Sequence, residues 1–100
     1  MTPDVLSRHA QVQTLQVPEV VTYLRKNDWM SISHPNRRFL VFEKGVDDQD
    51  KPIQIVLPSK NDYEDTPYLL AKAVNLLSFL ESMSFQETVN SIHDTSVQAR

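Results

Sequence analysis

RFLVFEKGVDDQDKPIQIVLP, residues 38–58, reads as two strands around one polar loop. Arg38-Phe39-Leu40-Val41-Phe42-Glu43 is β-branched and aromatic, with apolar groups on both faces. That pattern suits a central strand covered by helices on one side and partly covered on the other. Gly45 through Lys51 is the polar loop, and Pro52-Ile53-Gln54-Ile55-Val56-Leu57-Pro58 is the next strand. Ile53, Ile55 and Leu57 share one of its faces, and a proline stands at each end, where a missing N–H costs a short strand least. Upstream, Trp29-Met30-Ser31-Ile32-Ser33 alternates in the strand manner and stops at the turn sequence His34-Pro35-Asn36. Three consecutive strands with short connections predict an antiparallel meander.

Helices flank this meander. Pro18 is placed as a first helical residue, because its missing N–H has no intrahelical partner there. Val17, Val20, Val21 and Leu24 form an apolar stripe, Arg25 and Lys26 suit the negative helix end, and Asn27-Asp28 stop the run, which gives a helix over 18–27. Thr66-Pro67 predicts a second start, the Thr66 hydroxyl as cap and Asp62, Glu64 and Asp65 near the positive helix end. From Tyr68 to Met83 the apolar residues cover more than one stripe, as in a helix that is mostly buried or docked on a second surface. Ser84-Phe85-Gln86-Glu87 reads as a capping box for a last short helix with the stripe Phe85, Val89 and Ile92. The expected fold is α+β in the order α-β-β-β-α-α, a three-stranded antiparallel sheet with helices packed on one face. Residues 1–16 are expected as a flexible N-terminal arm, 17–93 as a single domain and 94–100 as a frayed tail.

Length and composition narrow the function classes. One hundred residues support one core and bury roughly 65% of the unfolded surface. No cysteine is present, which removes disulfides, thiolate nucleophiles and Cys-ligated zinc. A single glycine, Gly45, excludes phosphate-cradling glycine loops. No apolar run approaches the roughly 20 residues of a membrane helix and no leader pattern opens the chain, so a cytoplasmic protein with no membrane contact is expected. Residues 1–45 carry net +2 and residues 46–100 net −5, giving −3 overall. Nucleic-acid binders gain most of their affinity from cationic surface, so this balance counts against that role while leaving room for a local basic face.

Few constellations carry chemistry. His9, His34 and His93 are scattered, and none sits at a spacing that pairs it with a nucleophile; His34 reads as an exposed turn histidine. Asp47, Asp48 and Asp50 invite a calcium reading, but Pro52 and Pro58 occupy the places where a calcium loop needs glycine and glutamate. A solvated acidic hairpin tip remains. No metal or cofactor is expected. Arg25 and Lys26, with Arg37 and Arg38 and the nearby His34, make a basic patch if the helix end and the β-turn lie on one side. Trp29 with Tyr23, or Tyr63 with Tyr68, offers an aromatic stacking surface, but a single Trp at a helix–strand junction reads as a core anchor, and so do Phe39 and Phe42.

The string EVVTYLRKNDW (residues 19–29), the three strands ending in Val56-Leu57-Pro58 and the following helix resemble the HicA-type (YcfA-like) toxin domain of bacterial toxin–antitoxin pairs, over about residues 18–82. The resemblance implies a variant of the double-stranded-RNA-binding fold and a place in a toxin–antitoxin or phage-defence complex. That family's ribonuclease centres on a histidine after Gly-Ser at the start of the second strand. Here the matching region is Pro35-Asn36-Arg37-Arg38-Phe39, which lacks that histidine. The wider fold places lysines at the start of the second helix, where this chain has Asp62, Glu64, Asp65 and Thr66.

These readings lead to a non-catalytic protein-interaction subunit, with an operon neighbour or a second copy as partner. Its surface is expected at Tyr68, Leu76, Phe79, Leu80 and Phe85, because excess apolar surface on a small domain marks an interface. The alternative is a nucleic-acid-binding module using Arg25, Lys26, Arg37, Arg38 and Lys44 on phosphates. Catalysis is not expected: guanidinium cannot accept a proton, and His34 precedes the second strand.

Overall fold

A computed structural model describes residues 15–60 and 64–98. Most of the expected arm, together with Asp62 and Tyr63, lies outside the described residues. The elements are α1 (Val17–Lys26), β1 (Met30–Ile32), β2 (Phe39–Val46), β3 (Pro52–Pro58), α2 (Thr66–Glu81) and α3 (Phe85–Gln98). They form an α+β fold in the order α-β-β-β-α-α, with an antiparallel sheet ordered β1-β2-β3. Ile32, Val41 and Val56 lie in register across it, as do Met30, Glu43 and Gln54.

The pleat divides the sheet. Leu40, Phe42, Ile53, Ile55 and Leu57 join Val17, Val20, Tyr23, Leu24 and Trp29 of the first helical segment and Leu70, Val74, Leu77, Val89 and Ile92 of the later helices in one core. The helices pack on that face. The opposite face presents Met30, Ile32, Val41 and Val56, with Gln54 donating to the Glu43 carboxylate at 2.6 Å. Val41 is buried yet stands outside the main core.

Left-handed backbone falls on Asp28, Gly45, Asp50 and Ser82, three of them without glycine's freedom. Asp28 and Ser82 end α1 and α2 by the same device. The Trp29 N–H reaches the Leu24 carbonyl at 3.0 Å and the Asp28 N–H reaches Arg25; likewise Met83 bonds Ser78 and Ser82 bonds Phe79. This is the Schellman pattern, and it seats Trp29 beside Leu24 in the core. Gly45 serves a different turn. Register passes from Glu43 opposite Gln54 to Val46 opposite Pro52, so Lys44 and Gly45 oppose Ile53 alone as a bulge.

Several boundaries differ from the sequence reading. Leu15 is buried in the core, so packing begins two residues before the expected domain start. Trp29 belongs to the helix stop rather than to β1, because the Schellman bond takes its N–H. β2 runs through Gly45 to Val46, since a bulge absorbs the glycine that would otherwise end a strand. α3 continues past residue 93 to Gln98. The expected hydroxyl cap at Thr66 is replaced by Asp65 at the cap position, whose side chain makes no capping bond. The Thr66 hydroxyl instead donates to the Lys60 carbonyl at 3.1 Å, tying the end of β3 to α2. The Ser84 box forms as read: the Ser84 N–H donates to Glu87 at 2.8 Å and the Glu87 N–H to Ser84 Oγ at 3.1 Å.

Candidate functional site

α2 carries more apolar residues than its buried stripe needs. Leu70, Ala73, Val74 and Leu77 face the core, with the Ser78 hydroxyl donating to the Val74 carbonyl and bonded at 2.8 Å to Thr88 of α3. On the outer side Tyr68, Lys72, Leu76 and Phe79 recur at spacings of four, four and three, one continuous helical stripe, and Met83 follows just past the helix end. Phe79 is 81% exposed and Tyr68 54%. The Lys72 ammonium sits 5.5 Å from the Tyr68 ring centroid, a cation–π contact that leans it along the helix.

Phe79 stands as a ridge between two grooves. One, of about 760 Å³, is lined by Lys72, Leu76, Phe79, Met83 and Phe85 where α2 hands over to α3. The other, of about 580 Å³, lies between α2 and the β2–β3 hairpin and is lined by Val46, Asp47, Asp48, Ile53, Leu76 and Leu80. A third, of about 290 Å³, runs from Leu76 toward Leu69 along Ile55 and Val56. Leu76 lines all three. Four of the five expected interface residues, Leu76, Phe79, Leu80 and Phe85, therefore border one surface, with Tyr68 further along the same helix.

Sequence reasoning missed Met30, Val46 and Val56, which are also exposed. Their signal was present in the strand alternation. Placing Ile53, Ile55 and Leu57 inward leaves Val56 outward, and its register partners are apolar as well.

The basic residues divide into two groups. α1 feeds into β1 at Met30, which pairs with Glu43, so Arg25 and Lys26 come to the end of the sheet that holds Lys44. Arg37 and Arg38 lie in the turn at the other end, roughly 20 Å along β2 from Lys44 at the usual strand rise. Arg38 Nη2 pairs with the Asp65 carboxylate at 3.1 Å, beside the α2 N-terminus. His34 is held by its own turn. The Asn36 N–H donates to His34 Nδ1 at 3.0 Å, Asn36 Oδ1 accepts from the Arg38 N–H at 2.9 Å, and the ring meets Phe39 edge-on. At the acidic tip, Asp47 Oδ1 accepts the N–H groups of Gln49 and Lys51 at 2.8 and 3.0 Å, closing the hairpin.

Two polar ties hold the scaffold behind the stripe. Tyr23 of α1 donates its phenol to the Glu81 carboxylate at the end of α2. Burial, then that hydrogen bond and the Glu81 charge, push the phenol well above its ordinary range. His93 of α3 meets Glu19 of α1 at 2.9 Å. At Ser84 the backbone N–H, followed by the hydroxyl, holds Glu87 below the usual carboxylate value. No family model, curated protein or solved structure matches this chain.

Proposed function

We propose that this chain is a non-catalytic protein-interaction domain that binds a protein partner through the outer stripe of α2. Its resemblance to the HicA-type toxin domain makes a bacterial toxin–antitoxin or phage-defence complex the setting. The observation that carries the reading is Phe79, a large aromatic side chain left 81% exposed between two grooves that Leu76 also lines. Burying such a ring contributes about 1.5–3 kcal/mol, and aromatic anchors seated in pockets dominate interface energies. Nothing in the fold requires Phe79 to stay open, since core packing on α2 is complete without it.

The test is co-expression with the products of adjacent genes, followed by light scattering on the purified chain and on its Phe79→Asp variant. A complex that survives purification and is lost in Phe79→Asp, with thermal stability unchanged, supports the reading. A chain that binds no neighbouring product and stays monomeric overturns it. The same preparations, titrated into labelled duplex and single-stranded RNA at two salt concentrations, address the basic residues. Salt-sensitive binding reduced by Arg25→Ala or Arg37→Ala would move the function to nucleic acid. Metal-independent RNA cleavage lost in His34→Ala would make the chain an enzyme.

A further inference from the structure

β3 is an edge strand, and its hydrogen-bonding phase can be read directly. The Ser59 N–H bonds the Arg38 carbonyl at 2.8 Å, so Arg38 and Ser59 form a hydrogen-bonded pair. The register alternates from there, and Leu57 and Ile55 direct their backbone groups toward β2. Gln54 and Val56 direct theirs away, toward a side that carries no strand among the described residues. Pro52 and Pro58 have no N–H to offer. The free edge therefore presents two donors, those of Gln54 and Val56, and the carbonyls beside them.

This edge borders the groove lined by Gln54, Ile55, Val56, Leu69, Lys72 and Leu76. A helix laid there would have no use for the edge, because its own backbone groups are already paired. An extended strand uses both the donors and the groove. One strand of matching phase is β3 itself. An antiparallel copy turned about a two-fold axis at Ile55 places Gln54 opposite Val56 of the second copy and Val56 opposite its Gln54, each pair exchanging two hydrogen bonds. Ile55 meets its own counterpart over the groove. The rotation also carries the acidic hairpin tip, with Asp47, Asp48 and Asp50 against Lys51, toward Lys60 beyond the far end of the second copy's β3. The tip and Lys60 are exposed and opposite in charge. The outer row Ile32–Val41–Val56 then meets the row Gln54–Glu43–Met30 of the second copy.

We propose that the free edge of β3, together with the groove it shares with α2, is a self-association surface joining two copies into a six-stranded sheet. This deepens the interaction-domain reading, and rests on it, by naming a second copy of the chain as the partner. Lys72 lines the groove near the axis and approaches the same residue of the other copy, which supplies a charge test.

Sedimentation of the full chain across about 1–100 µM should show a concentration-dependent dimer of about 23 kDa from the 11.5 kDa chain. Hydrogen exchange should protect the Gln54 and Val56 amides as well as Ile55, and dilution should release the first two. Val56→Pro removes an edge donor that β2 does not use, and should weaken the dimer at least about tenfold. Wild-type chain mixed with Lys72→Glu should prefer the mixed dimer over either parent. A chain monomeric at about 100 µM, or a dimer whose Gln54 and Val56 amides exchange freely, overturns the proposal. So does concentration-independent protection of those amides in a monomer, which would mean that the chain's own residues cover the edge. A monomer that still binds a neighbouring gene product through Phe79 leaves the broader reading standing while refuting this one.

Discussion

Replacing Tyr23 by Phe removes one oxygen from the interior and tests how α1 is tied to α2. Tyr23 is 5% exposed, and its phenol donates to Glu81, itself half-buried. Below pH 10 the lost bond should cost about 1.5 kcal/mol, at the low end for a charged acceptor because Glu81 regains water. The pH dependence is more telling. An unfolded chain releases the tyrosine proton near pH 10, whereas burial and Glu81 hold the folded phenol protonated well above that value. The stability tied to this phenol is thus fully present below pH 10 and lost as pH rises toward the folded value. At pH 11 the loss is about 1.4 kcal/mol in the wild type and zero in Tyr23→Phe. The variant should start less stable and draw level by about pH 11, since every other titrating group is common to both. Urea unfolding followed by the fluorescence of Trp29, the chain's single tryptophan, reads both proteins directly. A stability difference that stays constant from about pH 8 to pH 11 would refute the reasoning.

Four further outcomes follow from the caps and the helix seam. Ser82→Gly should raise stability by about 0.5–1 kcal/mol in thermal unfolding, because Ser82 ends α2 at φ 55 where glycine is unstrained. Glu87, held below the usual carboxylate value by Ser84, contributes stability that is present above the unfolded value and lost as pH falls through the lower folded one; Glu87→Gln should flatten that part of the acid limb in pH-jump unfolding, and Ser84→Ala should cost about 1 kcal/mol at neutral pH. Thr88→Val should cost about 1 kcal/mol by denaturant midpoint, since Ser78 keeps its bond to the Val74 carbonyl when the buried Thr88 hydroxyl is removed.

Element order was legible because each element carries a local signature: prolines bracketing β3, Pro18 at a helix start, a Ser-x-x-Glu box before α3. What escaped depends on contacts between distant residues. Thr66 carries the residue type of a cap, yet its hydroxyl turns to Lys60, a choice made by where β3 delivers the chain. Leu15 gave no period of its own and is buried only because the helices close over it. Gly45 read as loop because a bulge is defined by the opposing strand, here Ile53. For the surface, the excess apolar stripe of α2 was visible from Leu76, Phe79 and Leu80. The division of the basic residues was not, because it follows from the pairing of Met30 with Glu43.

Unequal edges give this sheet a finite set of assemblies. β1 has three residues, too short to template another chain, and shortness is one means by which native sheets discourage edge pairing. β3 has seven and would be a liability if its whole length were available. The prolines at its ends remove the terminal donors and leave the window at Gln54 and Val56. A strand added there is held by few hydrogen bonds and draws its remaining stability from the apolar groove. Pairing β3 with its own copy consumes both long edges and leaves only the two short β1 edges outside, so the sheet closes at six strands. Phe79 lies beyond Leu76 from that window, and lines the groove at the α2–α3 junction rather than the one beside the edge.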